Sequence, residues 1–204
     1  MIEVDHQDGV GIVTLNRPDK ANSLTQAMLE DLIAAMRDAR DARAVILTGR
    51  GNVFSAGADL EAAKAGLAVS PLWEELSTAV AALNGLSIAA LNGTLAGGAF
   101  GMALACDLRI AVPTARFFYP VMKLGFMPQP SDPGRLAALV GPARAKLILM
   151  AAQKISAQEA YGFGLIDRIV EPDDLSDTAM ELVSATVAAP PDIAHGIKKL
   201  CEDG

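Results

Sequence analysis

No residue between Leu76 and Cys106 is charged. A run this long and apolar either spans a bilayer or supplies the centre of a large hydrophobic core. The turn residues inside it decide between the two. Asn84-Gly85, Asn92-Gly93 and Gly97-Gly98 cut the run into pieces too short for one spanning helix. The reading is helix, buried strand, Gly-rich loop and buried helix inside a core, and no membrane partner is expected. A chain of 204 residues can bury such a core in one domain.

The rest of the pattern fits a mixed architecture. Val10 to Leu15 is a short β-rich run ended by Asn16-Arg17-Pro18-Asp19. Leu24, Met28, Leu32 and Met36, with Leu29 and Ile33, make one helical stripe, and Ser23 with Gln26 has capping-box spacing. Ala44-Val45-Ile46-Leu47-Thr48 is apolar on both faces, as a buried parallel strand would be, and Ile88–Leu91 and Leu108–Val112 repeat the pattern. Strands alternating with helical stretches predict βαβ units and an α/β fold. In the second half, Asp132-Pro133 reads as N-cap and first helical residue, and Gly141-Pro142 separates two helices. Ser156 and Glu159 form a second capping box, Leu165–Val170 reads as a last strand, and a helix over 174–189 ends at Pro190-Pro191.

Composition removes several functions. Acidic residues outnumber basic ones by 24 to 17 and no basic block interleaves with aromatics, so nucleic acid is not an expected partner. Two cysteines make neither a disulfide framework nor a CxxC pair, which fits a reducing, cytoplasmic location, and no metal-ligand cluster is visible. The start, Met1-Ile2-Glu3-Val4-Asp5, has no signal-peptide pattern. Hydrophobic residues reach 51%, so part of the surface is expected to be covered by further copies of the chain.

Two small-residue turns carry the chemistry. Phe54-Ser55-Ala56-Gly57-Ala58-Asp59-Leu60 follows the strand at 44–48, and Asn92-Gly93-Thr94-Leu95-Ala96-Gly97-Gly98-Ala99-Phe100-Gly101 follows the strand at 88–91. Amides at the start of a helix have no partner within it, and small residues let a ligand oxygen approach. Two such turns on neighbouring strands could aim two N–H groups at one point, as an oxyanion hole does. The alternative is tight backbone packing with no ligand. The second turn also suggests a dinucleotide loop, but it lacks G-x-G-x-x-G after a first strand and the acidic residue beyond it.

These turns, with Asn16-Arg17-Pro18, Ala44–Gly49, Ile88–Gly93, Ala105-Cys106-Asp107, Leu124-Gly125, Ile155–Ala160 and Gly164-Leu165-Ile166, resemble in order and spacing the crotonase (enoyl-CoA hydratase/isomerase) superfamily. The resemblance implies a crotonase-like ββα superhelix over residues 1–190, with residues 191–204 as a short tail and the C-terminal helical part shortened. It implies an acyl-CoA thioester substrate, no permanently bound cofactor beyond coenzyme A in that substrate, and a homotrimer or hexamer. By position, the amides of Ala58 and Gly98 would hold the thioester oxygen. Lys20, Ala21, Ala56, Asp59 and Leu60, with Leu95, Gly97, Gly101, Pro120, Val121 and Leu124, would contact the substrate.

The departures matter as much. Hydratases of the family carry two glutamates that activate water, and here those positions are Gly101 and Val121, neither of which moves a proton. General acid–base help contributes roughly 10²–10⁴-fold, so ordinary hydration should be very slow. Tyr119, two residues before Val121 and on the same strand face, and Asp132, in the loop bordering the acyl site in relatives, are the candidate replacements. Two readings stay open: a lyase or isomerase of the family, or a non-catalytic acyl-CoA-binding or assembly subunit. Asp107, between a buried helix and a strand, is expected to serve a structural hydrogen bond.

Overall fold

The computed structural model describes residues 1–202. The chain opens with strands β1 (Ile2–Gln7) and β2 (Val10–Leu15), paired antiparallel across Asp8-Gly9. Both turn residues have positive φ, 51° and 84°, as a two-residue hairpin with right-handed strand twist requires. β1 escapes the sequence reading because it lies at the edge with mostly exposed side chains, so no apolar run marks it. Helix α1 (Gln26–Asp38) follows, and its predicted stripe is buried. Its cap differs from expectation: Thr25, not Ser23, accepts from the Met28 amide at 3.3 Å, and Gln26 bonds Glu30 on the surface.

A unit of long strand, short strand and helix then recurs. The first is β3 (Ala44–Gly49), β4 (Val53–Ser55) and helices α2 (Leu60–Lys64) and α3 (Leu72–Ala81). The second is β5 (Leu86–Leu91), β6 (Thr94–Ala96) and α4 (Phe100–Ala105). The third is β7 (Leu108–Ala111), β8 (Arg116–Phe118) and α5 (Val121–Leu124). Helices α6 (Asp132–Val140) and α7 (Pro142–Leu149), strand β9 (Ile155–Ser156), helix α8 (Ala157–Phe163), strand β10 (Arg168–Ile169) and helices α9 (Leu175–Ala188) and α10 (Pro191–Glu202) complete it. The Ser156–Glu159 capping box forms as predicted.

Long strands build one sheet in the order β1-β2-β3-β5-β7-β10, parallel from β2 onward. Short strands build a second, β4-β6-β8-β9, in which the first three are parallel. This alternation of sheets is the ββα superhelix. Phe54, Phe100 and Phe117 are fully buried in the core between the layers. The apolar run at 76–106 becomes the end of α3, β5, β6 and α4, and among the described residues no helix is long and apolar enough to cross a membrane.

Three expectations need correction. The last strand is only Arg168–Ile169, because Leu165 and Ile166 turn into the core before it. Pro190-Pro191 ends α9 but also starts α10: proline suits a first helical turn, where its missing N–H has no acceptor to lose. Residues 191–202 are therefore helical, an element the sequence pattern did not mark. Third, Ser131 occupies the N-cap position of α6 and Asp132 is already helical, with its carboxylate turned inward and not capping.

Asp107 is a structural hub, as its position suggests. Its Oδ2 accepts from the Ser87 amide (2.7 Å), the Ser87 hydroxyl (2.9 Å) and Lys198 Nζ (2.9 Å), which ties β5 to α10. Replacing it by alanine leaves a buried Ser87 hydroxyl and the Ser87 amide short of an acceptor. Asp107→Ala should cost about 1–3 kcal/mol, read as a lowered midpoint in urea with an unchanged slope.

Candidate active site

Strands β4, β6 and β8 are parallel neighbours, so their C-terminal ends lie side by side at one rim of the small sheet. The residues that leave these ends converge on one cavity of about 190 Å³. Ala56 and Ala58 come from the exit of β4, Gly97 and Gly98 from that of β6, and Tyr119, Pro120 and Val121 from that of β8. Leu60, Trp73, Leu124, Phe126 and Gln129 are also in the wall. Among these wall residues the only titratable side chain is Tyr119.

Glycine makes the first two turns meet. Gly57 has φ of 87°, and a Cβ there would lie 2.9 Å from the carbonyl oxygen of Ala96 and 3.3 Å from Cα of Gly97. Gly97 has φ of 58° and faces Cα of Gly57 in return. Backbone rests on backbone, and the following residues, Ala58 and Gly98, line the same cavity. Ala58 is fixed from behind by a bridge to Leu24: the Leu24 amide donates to the Gly57 carbonyl (2.7 Å) and the Asp59 amide to the Leu24 carbonyl (2.9 Å). Gly98 is the second residue of the turn Gly97–Ala99 that enters α4, where the first amides have no acceptor within the helix. It rests on the Trp73 ring, which would lie 3.0 Å from an added Cβ, and the ring is held by its own indole bond to the Leu67 carbonyl (2.7 Å).

The other predicted contacts divide. Leu60, Val121, Pro120 and Leu124 line the cavity. Leu95 is buried in β6 and Asp59 caps α2 while bonding Arg17 at 2.9 Å; neither is in the wall. The Arg17 guanidinium beside Asp59 holds its carboxyl below the usual range. Lys20 is exposed and Ala21 has a left-handed φ of 51°, on the segment that leads to Leu24. Tyr119 and Val121 share the cavity, but not through a strand face: β8 ends at Phe118 and Val121 starts α5.

Gly101 is the second residue of α4, buried behind the wall instead of in it. A Cβ there would meet Asp132 Oδ1 at 2.9 Å and Oδ2 at 3.4 Å. The carboxyl of α6 therefore occupies the space that a longer side chain at position 101 would take. Tyr119 donates its hydroxyl to Asp132 Oδ2 at 2.8 Å, and its ring stacks on Phe100 with centroids 5.3 Å apart. Asp132 Oδ1 has no hydrogen-bond partner among the described residues. Burial pushes the Asp132 carboxyl up to about 6, against the smaller opposing pull of the Tyr119 hydroxyl and Arg135. Burial and the neighbouring carboxylate likewise push the Tyr119 hydroxyl upward. Sequence spacing brings Asp132 to the edge of the site, but its pairing with Tyr119 against Gly101 depends on α6 packing on α4.

The raised carboxyl has a stability consequence. Folded Asp132 holds its proton up to about pH 6, whereas an unfolded aspartate releases it near pH 3.9. The folded state binds more protons in that interval, so this contribution to stability is lost as pH rises through it. Asp132→Asn, which keeps an acceptor for Tyr119, should be more stable than the parent at pH 7 by up to about 3 kcal/mol, with the difference fading near pH 4. Denaturant unfolding at the two pH values checks this; an equal difference at both would contradict it.

The comparisons agree with this architecture. The family model described as "Enoyl-CoA hydratase/isomerase" matches residues 5–203. A protein named short-chain-enoyl-CoA hydratase from Clostridium acetobutylicum is 36% identical over 201 residues, covering 92% of this chain and 76% of that protein. A 4-chlorobenzoyl coenzyme A dehalogenase from an Arthrobacter species is 33% identical over 215 residues, covering 100% of this chain and 78% of that one. The crystal structure of an enoyl-CoA hydratase from Bacillus anthracis superposes with a TM-score of 0.90 at 33% identity, covering 98% of this chain and 82% of that one. With the two-sheet superhelix and the ordered turns around one cavity, these matches show that the chain belongs to the enoyl-CoA hydratase/isomerase family, within the crotonase superfamily.

Proposed function

We propose that this protein processes acyl-CoA thioesters by holding the thioester oxygen between the amides of Ala58 and Gly98 while it takes on enolate charge. The observation that carries this is the Gly57–Gly97 contact, which sets two strand-exit turns against each other with both following residues in one cavity wall. Fixed donors stabilise a charge that develops on oxygen more than they stabilise the neutral carbonyl, which is what lowers the barrier. Names of similar proteins support the substrate class, since a hydratase and a dehalogenase both act on coenzyme A esters. In this reading Lys20, exposed on the segment bridged to Ala58, meets the phosphates of coenzyme A, and Leu60 and Ala56 flank the pantetheine.

The reaction is an isomerisation or a cleavage, not a hydration. Gly101 is behind the wall and Val121 is aliphatic, so the cavity offers no carboxylate to activate water. Tyr119 is the group that would exchange a proton with the enolate. The poverty of titratable groups also favours a second reading, an acyl-CoA-binding subunit without turnover. Assembly into a trimer or hexamer belongs to the proposal as well: Met122, Leu124, Phe126 and Met127 expose apolar surface on α5 and the loop after it.

Crotonyl-CoA tests both parts. Bound to the protein, its thioester C=O stretch should move to lower frequency, as two strong donors polarise the bond. Its hydration, followed by loss of the conjugated thioester absorbance, should be at least roughly 10²-fold slower than in a relative bearing both glutamates. An unshifted stretch would contradict the two-amide site, and brisk hydration would contradict the excluded reaction.

A further inference from the structure

We propose that Asp132 and Tyr119 form a proton shuttle that stands in space for the side chain missing at Gly101, and that it serves the shift of a double bond in a 3-enoyl thioester. The inference rests on the thioester reading above and deepens it.

The geometry makes the exchange specific. The Asp132 carboxyl fills the volume beside Gly101, and a Cβ at that position would sit 2.9 Å from Oδ1. A Cβ at Gly101 would push the carboxyl from the position it holds. Asp132 is fully buried, yet one of its oxygens has no partner among the described residues. A carboxyl kept merely to tether the Tyr119 hydroxyl would be expected to have both oxygens satisfied, because an idle buried oxygen costs about 1–3 kcal/mol. Tyr119 connects that carboxyl to the cavity: its hydroxyl is 2.8 Å from Oδ2, and the stack on Phe100 fixes the ring in the same wall as Ala58 and Gly98.

The groups around Asp132 leave it free to exchange a proton. From α3, Glu74 spends its Oε2 on the amide and hydroxyl of Ser131. On α6 itself, Arg135 donates to the Ser131 hydroxyl at 2.8 Å and makes no bond to Asp132. Helix α4 presents uncharged Phe100 and Gly101, and α3 also presents Ser77, whose Cβ would lie 3.5 Å from a Cβ at 101. The segment after β8 presents Tyr119 alone. With no cation bonded to it and burial opposing its charge, the carboxyl titrates at about 6 and can both take and return a proton near neutrality.

The step balances without a co-reactant. The C2–H bond of the 3-enoyl thioester breaks and its electron pair enters the enolate, whose charge rests on the thioester oxygen. The released proton goes to Tyr119 Oη as the hydroxyl's own proton passes to Asp132 Oδ2. On return, Tyr119 gives a proton to C4 and recovers one from Asp132, and the double bond lies between C2 and C3. One reversible carrier suffices, whereas hydration would also need a held water. Tyr119 is the catalytic residue here, and Asp132 acts through it.

The test uses the whole protein with trans-3-hexenoyl-CoA, across about pH 4–8. The parent should raise the conjugated thioester absorbance, and kcat should climb with pH and level off above about 6 as Asp132 becomes an acceptor. In deuterium oxide it should also exchange the C2 protons of butyryl-CoA, seen by NMR. Asp132→Asn should lose roughly 10²–10⁴-fold in kcat with little change in KM, and lose the pH limb. Tyr119→Phe, which keeps the stacked ring, should lose both reactions and serves if the Asn variant fails to fold. Retention of kcat within threefold in a folded Asp132→Asn or Tyr119→Phe, or a parent that binds hexanoyl-CoA calorimetrically but neither shifts nor exchanges, overturns the shuttle and spares the thioester reading. A parent that binds no acyl-CoA at all overturns that reading and the shuttle together.

Discussion

Two glycines touching across neighbouring turns set the geometry of the whole site. Gly57 and Gly97 come so close that a Cβ on the first would lie 2.9 Å from a carbonyl oxygen of the second turn. Any side chain at Gly57 would force the turns apart, and with them the amides of Ala58 and Gly98. The contact exists because β4 and β6 are parallel neighbours, which places their exits at one rim. It is braced on both sides, by the Leu24 bridge behind Ala58 and by the Trp73 ring under Gly98. The superhelix thus does two things with one repeat: it buries long strands as a core and lines up the ends of short ones.

The third exit, that of β8, supplies the chemical variety. The resemblance implies that the positions of the two hydratase glutamates are Gly101 and Val121 in this chain, and a carboxyl from α6 lies against Gly101. Moving the acid from the wall to a layer behind Tyr119 changes its character. It is desolvated, its proton is held to about pH 6, and it is connected to the cavity through one hydroxyl. A carboxylate in the wall can hold a water, whereas one behind a tyrosine can only pass protons through it. That distinction is the physical ground for proposing proton shifts and not hydration.

Much of this was readable in the residues. Apolar runs of strand length at 44–48, 88–91 and 108–112 became β3, β5 and β7, and the glycine-bearing turns after them became the cavity rim. Those signals are local: burial on both faces forces a continuous apolar run, and close backbone approach forces glycine. The losses are where tertiary packing decides. Ser23 with Gln26 has capping spacing, but the Arg17 guanidinium donates to the Ser23 hydroxyl and carbonyl, and the helix starts later, at Gln26, capped by Thr25. Asp132 beside Pro133 looks like a cap, yet the start of α6 moves by one residue and turns the carboxyl toward Tyr119. Gly101 looked like a vacancy, because nothing in the spacing tells that a residue from another helix fills it.

The central claim is that two main-chain amides share one oxygen, and a crystal structure with a non-hydrolysable acyl-CoA analogue tests it most directly. The account predicts the carbonyl oxygen of the analogue within about 2.7–3.1 Å of both Ala58 N and Gly98 N, between the exits of β4 and β6. An analogue seated elsewhere on the protein, or with its oxygen bonded to neither amide, would contradict it.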